Sequence, residues 1–314
     1  MAMRLRESVA KRQKGNPGRF CVGLDPDISK VPAFIVGPND GIRAAIYLMG
    51  IVDATANFAS AFKPQRAYFE ALEGGIEGLR MLIAYIHNRY PRIPVILDVK
   101  RGDIDRTQAR YGIAHFMLDG VDSMNFNPYM GSSTLTALVG ADKDGTLITL
   151  GRTSNWEAWE LQDAVLVDGR RFWEHSLECA YSWAGTAGIL DRFGVVMGAA
   201  HKTDLLHKWD NTIAQHDFKG PAYAKDIYDW HLSRAREIVG DDTPFLIPGL
   251  GTQGGALEQT IRAAYRGPGT TLPSSSSAVC HASAGRDCYR AARDAAKETC
   301  IAIARVITSM GVVQ

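Results

Sequence analysis

The chain has 314 residues, 46% hydrophobic and 22% charged, and can bury a large core as one big domain or two smaller ones. Its 35 basic and 34 acidic residues leave a net charge of +1, which argues against nucleic acid as a partner. Five cysteines without metal-ligand spacing argue against a disulfide framework and favour a reducing, cytoplasmic setting. No apolar run approaches the ~20 residues of a membrane span, so no membrane association is expected.

The predicted elements begin with residues 1–15, whose charges lack an accompanying apolar segment. This pattern predicts a short amphipathic helix and not a secretory signal. Short apolar runs then alternate with segments of helical spacing, which is typical of a parallel α/β protein. We predict eight strands, at Phe20–Leu24, Ser60–Phe62, Val95–Val99, Ser123–Phe126, Leu147–Leu150, Val195–Ala199, Phe245–Ile247 and Ser277–Cys280.

Polar residues follow nearly every predicted strand, and they decide between two architectures. Asp25, Lys63, Asp98 and Asn127 each stand at the carboxyl end of a different run. In a closed barrel these ends meet around one active site, whereas an open sheet gathers fewer of them at one point. The sequence therefore predicts an α/β fold of the (β/α)8 TIM barrel type, as a single domain over residues 1–314 with an N-terminal helix.

Two connections are longer than is usual inside a compact domain. Residues 155–171, after the fifth strand, are rich in Trp and acidic side chains, and residues 201–242 follow the sixth strand. Connections of this length form lids, interface elements or helices with their own structure. A helical pattern over Asp226–Val239 predicts that the second is an insertion packed on the barrel.

The stretch LDVKRGD turns a buried strand into a cluster of charges. Because side chains alternate along a strand, Asp98 and Lys100 face the same side, Asp103 follows in the turn, and Lys63 arrives from the neighbouring strand end. Charges held away from water need partners, so the cluster is either a salt-bridged structural node or a catalytic site. An alternating array of two lysines and two aspartates keeps every member ionised. Such an array is suited to stabilising negative charge on carbon and then protonating it.

The segment LDVKRGDIDRT resembles the DxKxxD signature of orotidine 5′-phosphate decarboxylases, particularly the longer bacterial type. The similarity continues along the chain through CVGLDPD, FKPQRAYFEALEGGIEGL, NPYMGSSTL, RTSN, IPGLGTQGG and HASAGRD. DxKxxD alone also occurs in sugar-phosphate decarboxylases and synthases of the same superfamily, whereas the ordered set is far more specific. The resemblance implies decarboxylation of orotidine 5′-monophosphate (OMP) to uridine 5′-monophosphate (UMP) in pyrimidine synthesis, with no cofactor and no metal.

The resemblance also implies roles for the charged residues. Asp25 and Lys63 would hold the ribose hydroxyls, and Lys63 would also belong to the charge array. Asp98 would lie beside the substrate carboxylate. Lys100 would stabilise the carbanion at C6 and deliver the proton to it.

A second group of implied roles concerns a partner subunit. Asp103, Ile104 and Thr107 would reach the active site of a second copy of the chain. The expected functional unit is therefore a homodimer in which each site borrows residues from the other subunit.

A third group of implied roles concerns the two ends of the nucleotide. Ser154 would hydrogen-bond the pyrimidine. Residues Pro248–Gln253 would form a mobile lid, with Gln253 bridging base and phosphate. Gly254 belongs to a glycine-rich turn that can present amides to an anion.

The chain departs from the family pattern at Ser277, which stands where most members carry a phosphate-gripping Arg. An Arg offers a charged, two-pronged donor, whereas Ser has one hydroxyl. Three explanations are open: the loop binds phosphate through backbone amides and serine hydroxyls, Arg286 or another cation substitutes, or phosphate is bound weakly and activity or substrate differs.

Two other functions compete with the decarboxylase hypothesis. A metal-dependent sugar-phosphate lyase or synthase of the same superfamily would place an acidic Mg²⁺ ligand near the second strand end, where this chain has Lys63. A catalytically silent, nucleotide-binding barrel is suggested by Ser277 and the long insertions. The complete charge array argues against the silent barrel.

Overall fold

The parallel strands form one eight-stranded sheet in the computed structural model, which describes residues 4–141, 144–155, 157–202, 227–250 and 256–311. The strands are β1 (Phe20–Leu24), β2 (Ala59–Pro64), β3 (Ile96–Arg101), β4 (Ser123–Phe126), β5 (Thr146–Leu150), β6 (Phe193–Val196), β7 (Phe245–Ile247) and β8 (Thr271–Ser275). Their order in the sheet is β2-β1-β8-β7-β6-β5-β4-β3, all parallel. Two parallel bridges, Phe62 to Val95 and Gln65 to Asp98, join β2 to β3. The predicted (β/α)8 barrel is confirmed.

Helices follow the strands around the outside of the barrel. The α-helices are α1 (Leu5–Gly15), α2 (Asp40–Thr55), α3 (Arg66–Glu70), α4 (Gly75–Arg89), α5 (Asp105–Gly112), α6 (Ser133–Ala141), α7 (Ala158–Leu161), α8 (Phe172–Thr186), α9 (Trp230–Val239), α10 (Leu257–Ala264), α11 (Ser277–Cys280) and α12 (Cys288–Ser309). A π-helical turn, Ile113–Leu118, continues α5, and short 3₁₀ turns lie at Ile28–Lys30, Pro128–Met130 and Leu190–Arg192. Within the described residues, no helix combines the length and apolarity needed to cross a bilayer.

The N-terminal helix closes one end of the barrel interior. Leu5 and Val9 of α1 are buried against inward-facing apolar residues that come from seven strands. These residues are Cys21, Ala61, Ile96, Ile148, Val196, Leu246 and Leu272. The side-chain amide of Gln13 donates to the carbonyl of Thr271 at 3.0 Å, which fixes α1 to β8. With the amino-terminal end filled, the described residues leave the interior open at the carboxyl end of the strands, where (β/α)8 enzymes place their active sites.

The eighth strand was predicted at the wrong position. Ser277–Cys280 forms the short helix α11, and the strand lies just before it, at Thr271–Ser275. The strand is polar and contains Pro273, a residue that usually argues against a central strand. Val279 and Cys280 are apolar because α11 packs on the barrel, where the Cys280 thiol donates to the carbonyl of Gly23 at 2.8 Å.

The two long connections have partly regular structure. In the first, α7 is followed by an antiparallel bridge between Val165 and Arg171. In the second, His201–Lys202 and Ile227–Tyr228 pair in antiparallel fashion, and the residues between them lie outside the described part of the chain. The helix predicted over Asp226–Val239 is confirmed from Trp230 onward as α9, whereas Ile227–Tyr228 forms a strand. Helix α9 packs between α8 and α10 as the barrel's sixth outer helix.

Candidate active site

The alternation of strand side chains places three polar residues on the floor of the barrel mouth. Ala61, Ile96 and Ser123 occupy inward positions in β2, β3 and β4, and the next inward positions belong to Lys63, Asp98 and Asn125. All three of these polar residues are buried. The apolar interior therefore gives way to a charged layer at the carboxyl end of the strands.

Asp98 is the centre of this layer. Its Oδ2 accepts from the Lys63 ammonium at 2.8 Å, and its Oδ1 accepts from the Lys100 ammonium at 2.6 Å. The Asn125 side-chain amide also donates to Oδ1, at 2.8 Å. Both carboxylate oxygens are thus held by charged or polar donors, which is the condition for burying a charge without a large penalty.

Lys100 reaches Asp98 through an irregular backbone and not through simple strand alternation. Its φ is +45°, in the left-handed region that a residue other than glycine rarely adopts. The pairing of β3 with β4 shifts between Leu97 and Arg101, and the Asn125 Oδ1 accepts from the amides of Val99 and Lys100 at 2.7 Å each. Strained backbone of this kind concentrates at functional sites, where surrounding contacts hold it in place.

The electrostatic coupling of the cluster keeps its buried members charged. Burial opposes the charged form of Lys63, but the attraction of Asp98 and Asp25 outweighs it and raises the pKa of Lys63. Burial likewise opposes the carboxylate of Asp98, but Lys63 and Lys100 more than offset it and lower the pKa of Asp98. The site therefore presents fixed charges over the whole physiological pH range.

A cavity of about 540 Å³ opens above this floor. Lys63, Asp98, Lys100 and Asn125 form one part of its wall. Among the other predicted site residues, Asp25, Ser154, Pro248 and Ser277 also line it. The structure thus brings together residues from seven strand ends, in a space large enough for a small-molecule ligand.

Two polar atoms in the cavity wall are buried and have no hydrogen-bond partner among the described residues. They are the Oδ1 of Asp25 and the Oγ of Ser276. Buried polar atoms are nearly always paired in a complete structure, so unpaired ones in a cavity indicate where a ligand or water binds. Ser276 belongs to the run Ser274–Ser277, which forms one end of the cavity.

Arg286 is not among the residues that line this end of the cavity. Its guanidinium lies 5.8 Å from the centre of the exposed Phe34 ring. Of the three explanations for Ser277, substitution by Arg286 therefore has no support in this arrangement. Ser277 itself is exposed, at the first position of α11.

Other predicted site residues lie apart from the cavity or outside the described structure. Asp103 makes no ion pair with a described residue, and its Oδ1 accepts from the amide of Ile104 at 2.8 Å. Ile104 and Thr107 are exposed, and none of the three lines the cavity of its own chain. Gln253 and Gly254 lie outside the described residues.

Sequence reasoning missed several residues of the cavity wall, of which Asn125, Gln162 and Tyr68 carry polar side chains from three different segments. Asn125 bonds both Asp98 and the strained backbone at Lys100, and its signal was an amide at an inward position near the carboxyl end of β4. Gln162 reaches the cavity from the first long connection, and Tyr68 reaches it from α3. No spacing pattern connects these two residues with the strand ends, so only the fold could find them.

Comparisons with known proteins agree with this geometry. Residues 18–214 match the family described as orotidine 5′-phosphate decarboxylase / HUMPS. The chain is similar to a curated protein named orotidine 5′-phosphate decarboxylase from Ralstonia pickettii (strain 12J), with 37% identity over 298 residues. That match covers 95% of this chain and 97% of the relative.

Solved structures give the same result. The Leishmania donovani OMP decarboxylase superposes with a TM-score of 0.71 at 26% identity, covering 97% of this chain and 99% of that one. The Leishmania donovani UMP synthase matches with a TM-score of 0.71 at 27% identity. This match covers 95% of the present chain but 56% of the synthase, so the chain spans about half of that longer protein.

Replacing Asp98 by Asn should destabilise the protein, because it leaves the buried Lys63 ammonium without its carboxylate. The expected loss in free energy of unfolding is about 3 kcal/mol at pH 7, measured by urea denaturation. The lowered pKa of Asp98 means that its stabilisation is complete above the unfolded-state pKa and is lost as pH falls toward the folded-state pKa. Between about pH 5 and pH 3 the wild type should therefore lose about 1 kcal/mol more than Asp98→Asn. Parallel pH profiles of the two proteins would contradict this coupling.

Proposed function

Because this chain belongs to the orotidine 5′-phosphate decarboxylase / HUMPS family, we propose that it converts OMP to UMP and CO₂. It is a carboxy-lyase of pyrimidine biosynthesis. The observation that carries the proposal is the Lys63–Asp98–Lys100 cluster on the floor of the cavity. A family member with this cluster has the charges that the reaction needs at the place where a substrate can bind.

The reaction breaks the bond between C6 of the pyrimidine and its carboxylate. The electron pair stays on C6 in the plane of the ring, where the π system cannot delocalise it. The protein must therefore stabilise a localised negative charge, and fixed charges in a partly water-excluded site do this most effectively. Each ~1.4 kcal/mol of such stabilisation is worth a factor of ten in rate.

In this proposal Lys100 does the proton chemistry. Its ammonium attracts the electron pair that forms on C6 as CO₂ leaves, and then transfers a proton to C6. Asp98 holds the ammonium at 2.6 Å, and Asn125 fixes both Asp98 and the backbone of Lys100. The neutral amine of Lys100 regains its proton from solvent, which restores the site.

The rest of the nucleotide occupies the remaining walls of the cavity. Asp25 accepts from a ribose hydroxyl, and its unpaired Oδ1 supports that role. Lys63 contacts the ribose as well as Asp98. Ser154 hydrogen-bonds the pyrimidine at the opposite wall. Pro248 lines the cavity and begins the proposed lid Pro248–Gln253, whose last residue would bridge base and phosphate and lies outside the described part of the chain. A lid of this kind would use phosphate binding to orient the reacting carbon.

The phosphate lies at the serine-rich end of the cavity. Ser276 has an unpaired hydroxyl there, and the first amides of α11 lack partners within their own helix, as at any helix start. These donors carry no charge, whereas an Arg would add a permanent one. We therefore propose that this chain binds phosphate through hydroxyls and amides, and less tightly than relatives with an Arg at position 277.

The active unit in this proposal is a homodimer. Asp103 has no ionic partner among the described residues of its own chain, and Ile104 is an exposed apolar residue beside it. Tyr129 and Met130, at the carboxyl end of the neighbouring β4, are also exposed and apolar. A second subunit that covers this surface would receive Asp103, Ile104 and Thr107 at its own cavity.

The metal-dependent alternative is less consistent with the donor set. Lys63 places an ammonium 2.8 Å from Asp98, where a divalent cation would have to bind. Both oxygens of Asp98 already accept from positively charged donors, so a metal would compete with two lysines. We also propose a cytoplasmic location, which the five free cysteines support.

Lys100→Ala should abolish decarboxylation, because it removes both the charge near C6 and the proton donor. We expect a fall in kcat of at least about 10³-fold. The measurement is the ultraviolet absorbance of OMP with purified protein, and wild-type protein with EDTA serves as the metal control. Loss of wild-type activity in EDTA would favour the metal-dependent lyase, and no wild-type decay at all would favour a silent barrel.

Ser277→Arg should raise kcat/KM roughly tenfold or more, because a guanidinium makes charged, two-pronged hydrogen bonds to phosphate. Position 277 is exposed at the cavity edge, so the longer side chain has room. Ser277→Met is the matched control of similar length without charge. An unchanged or lower kcat/KM in Ser277→Arg would show that phosphate is already held fully by the serine-rich loop.

Lys100→Ala and Asp103→Asn should complement each other if Lys100 acts in the site of its own chain and Asp103 acts in the site of the partner subunit. Each variant alone is expected to be nearly inactive. When they are co-expressed and dimers form at random, about a quarter of all sites contain both native residues. Activity near that fraction of wild type, with a dimer seen by sedimentation, is the expected result. Inactive heterodimers would place Asp103 in the site of its own chain.

A further inference from the structure

The first long connection has a specific attachment to the cavity wall. Arg152 and Thr153 follow β5, and Gln162 and Asp163 lie in the connection after α7. The guanidinium of Arg152 donates to both oxygens of Asp163, at 3.0 Å from Nε to Oδ1 and 2.7 Å from Nη2 to Oδ2. Both side chains are buried, so this pair fixes the connection on β5.

Gln162 uses both ends of its amide on Thr153. Its Oε1 accepts from the amide of Thr153 at 2.8 Å, and its Nε2 donates to the Thr153 hydroxyl at 2.7 Å. The main chain of Gln162 is fixed in turn, since its carbonyl accepts from the amide of Trp173 in α8 at 2.9 Å. The Gln162 side chain therefore holds Thr153, the residue directly before Ser154, from a fixed position.

The other side of Ser154 is closed by the backbone of the sixth strand's extension. A Cβ at Gly198 would lie 2.9 Å from the Cα of Ser154, so only glycine permits this approach. The amide of Gly198 donates to the carbonyl of Arg152 at 2.7 Å. Thr153 and Ser154 thus lie between Gly198 on one side and Gln162 on the other.

Gln162 also separates two cavities. Its side chain lines both the 540 Å³ cavity and a second cavity of about 300 Å³. Thr153 and Leu150 also line both cavities. The second cavity is walled mainly by apolar side chains, including Leu161 and Phe172. Loss of the Gln162 side chain would join the two spaces and release Thr153 toward the second.

We propose that Gln162 is a positioning residue for recognition of the nucleobase: by holding Thr153 it fixes Ser154 against the pyrimidine. This inference rests on the proposed function and deepens it, because it assigns the 155–171 connection to the base end of the site. The parts of the cavity proposed to bind phosphate and ribose are formed by Ser274–Ser277 and Asp25, which belong to other strand ends. Their positions should not depend on Gln162. The effect of Gln162 should therefore be selective for ligands that carry a base.

The test compares UMP with ribose 5-phosphate, which has the same sugar and phosphate without a base. In Gln162→Ala, the Kd of UMP measured by calorimetry should rise roughly tenfold, while that of ribose 5-phosphate changes by less than about twofold. Gln259→Ala, in α10 and away from the cavity, is the matched control and should leave both unchanged. A rise of similar size for both ligands, or for neither, overturns the proposal.

Thr153→Val removes the other partner of the contact between Gln162 and Thr153. This variant tests the positioning role if Gln162→Ala does not fold. It removes the hydroxyl that accepts from Gln162 and donates to the Oδ1 of Asn155. UMP binding should weaken roughly threefold, with ribose 5-phosphate unaffected. In the double variant the UMP effect should be smaller than the two single effects combined, because both changes break the bond between Gln162 and Thr153. Additive effects would mean that Gln162 does not act through Thr153.

The decarboxylation assay keeps this inference separate from the proposed function. A wild-type protein that does not decarboxylate OMP overturns the proposed activity. The base-selective loss in Gln162→Ala is measured with UMP and ribose 5-phosphate, so its outcome does not depend on turnover. If wild type is active and Gln162→Ala lowers binding of both ligands equally, the function stands and the positioning role fails.

Discussion

Asp98 lies between the ammonium groups of Lys63 and Lys100, and the rest of the site depends on this arrangement. A buried carboxylate is tolerated only where donors satisfy both of its oxygens. Here two lysines and the Asn125 amide do so, and the same carboxylate raises the pKa of the buried Lys63. Removing Asp98 would leave the buried Lys63 ammonium without its ionic partner, so the carboxylate is the member on which the cluster depends.

The scaffold provides the place for this cluster. Apolar side chains from seven strands and the helix α1 fill the amino-terminal part of the barrel, so the charged layer is accessible only from the carboxyl end. Neighbouring strands then set the spacing: the bridge from Gln65 to Asp98 brings the end of β2 beside β3, which puts Lys63 within hydrogen-bond distance of Asp98. The apolar core and the polar site are therefore consecutive layers of the same strands.

Part of the remaining cavity wall comes from segments outside the strands. The serine-rich turn leads into α11 at one end of the cavity, and the 155–171 connection supports the Thr153–Ser154 segment at another wall. The polar side chains of these cavity walls differ in whether they already have hydrogen-bond partners within the protein. Gln162 and Asp163 fix their wall by side-chain bonds to consecutive residues, whereas Ser276 and Asp25 present unpaired polar atoms to the cavity. Binding free energy from a ligand can thus be gained at the unpaired groups without reorganising the fixed ones.

The sequence by itself determined the barrel and the position of Lys63 and Asp98 in the charge cluster, because the ordered polar residues at strand ends are a local pattern. It misplaced the last strand, since a polar run with a proline lacks the usual signal for a central strand. Only the tertiary structure decided the contacts of Asn125 and Gln162, which join segments far apart in the chain. The left-handed backbone at Lys100 was also decided only by the tertiary structure. Contacts from β4 hold this conformation in a residue with no local preference for it.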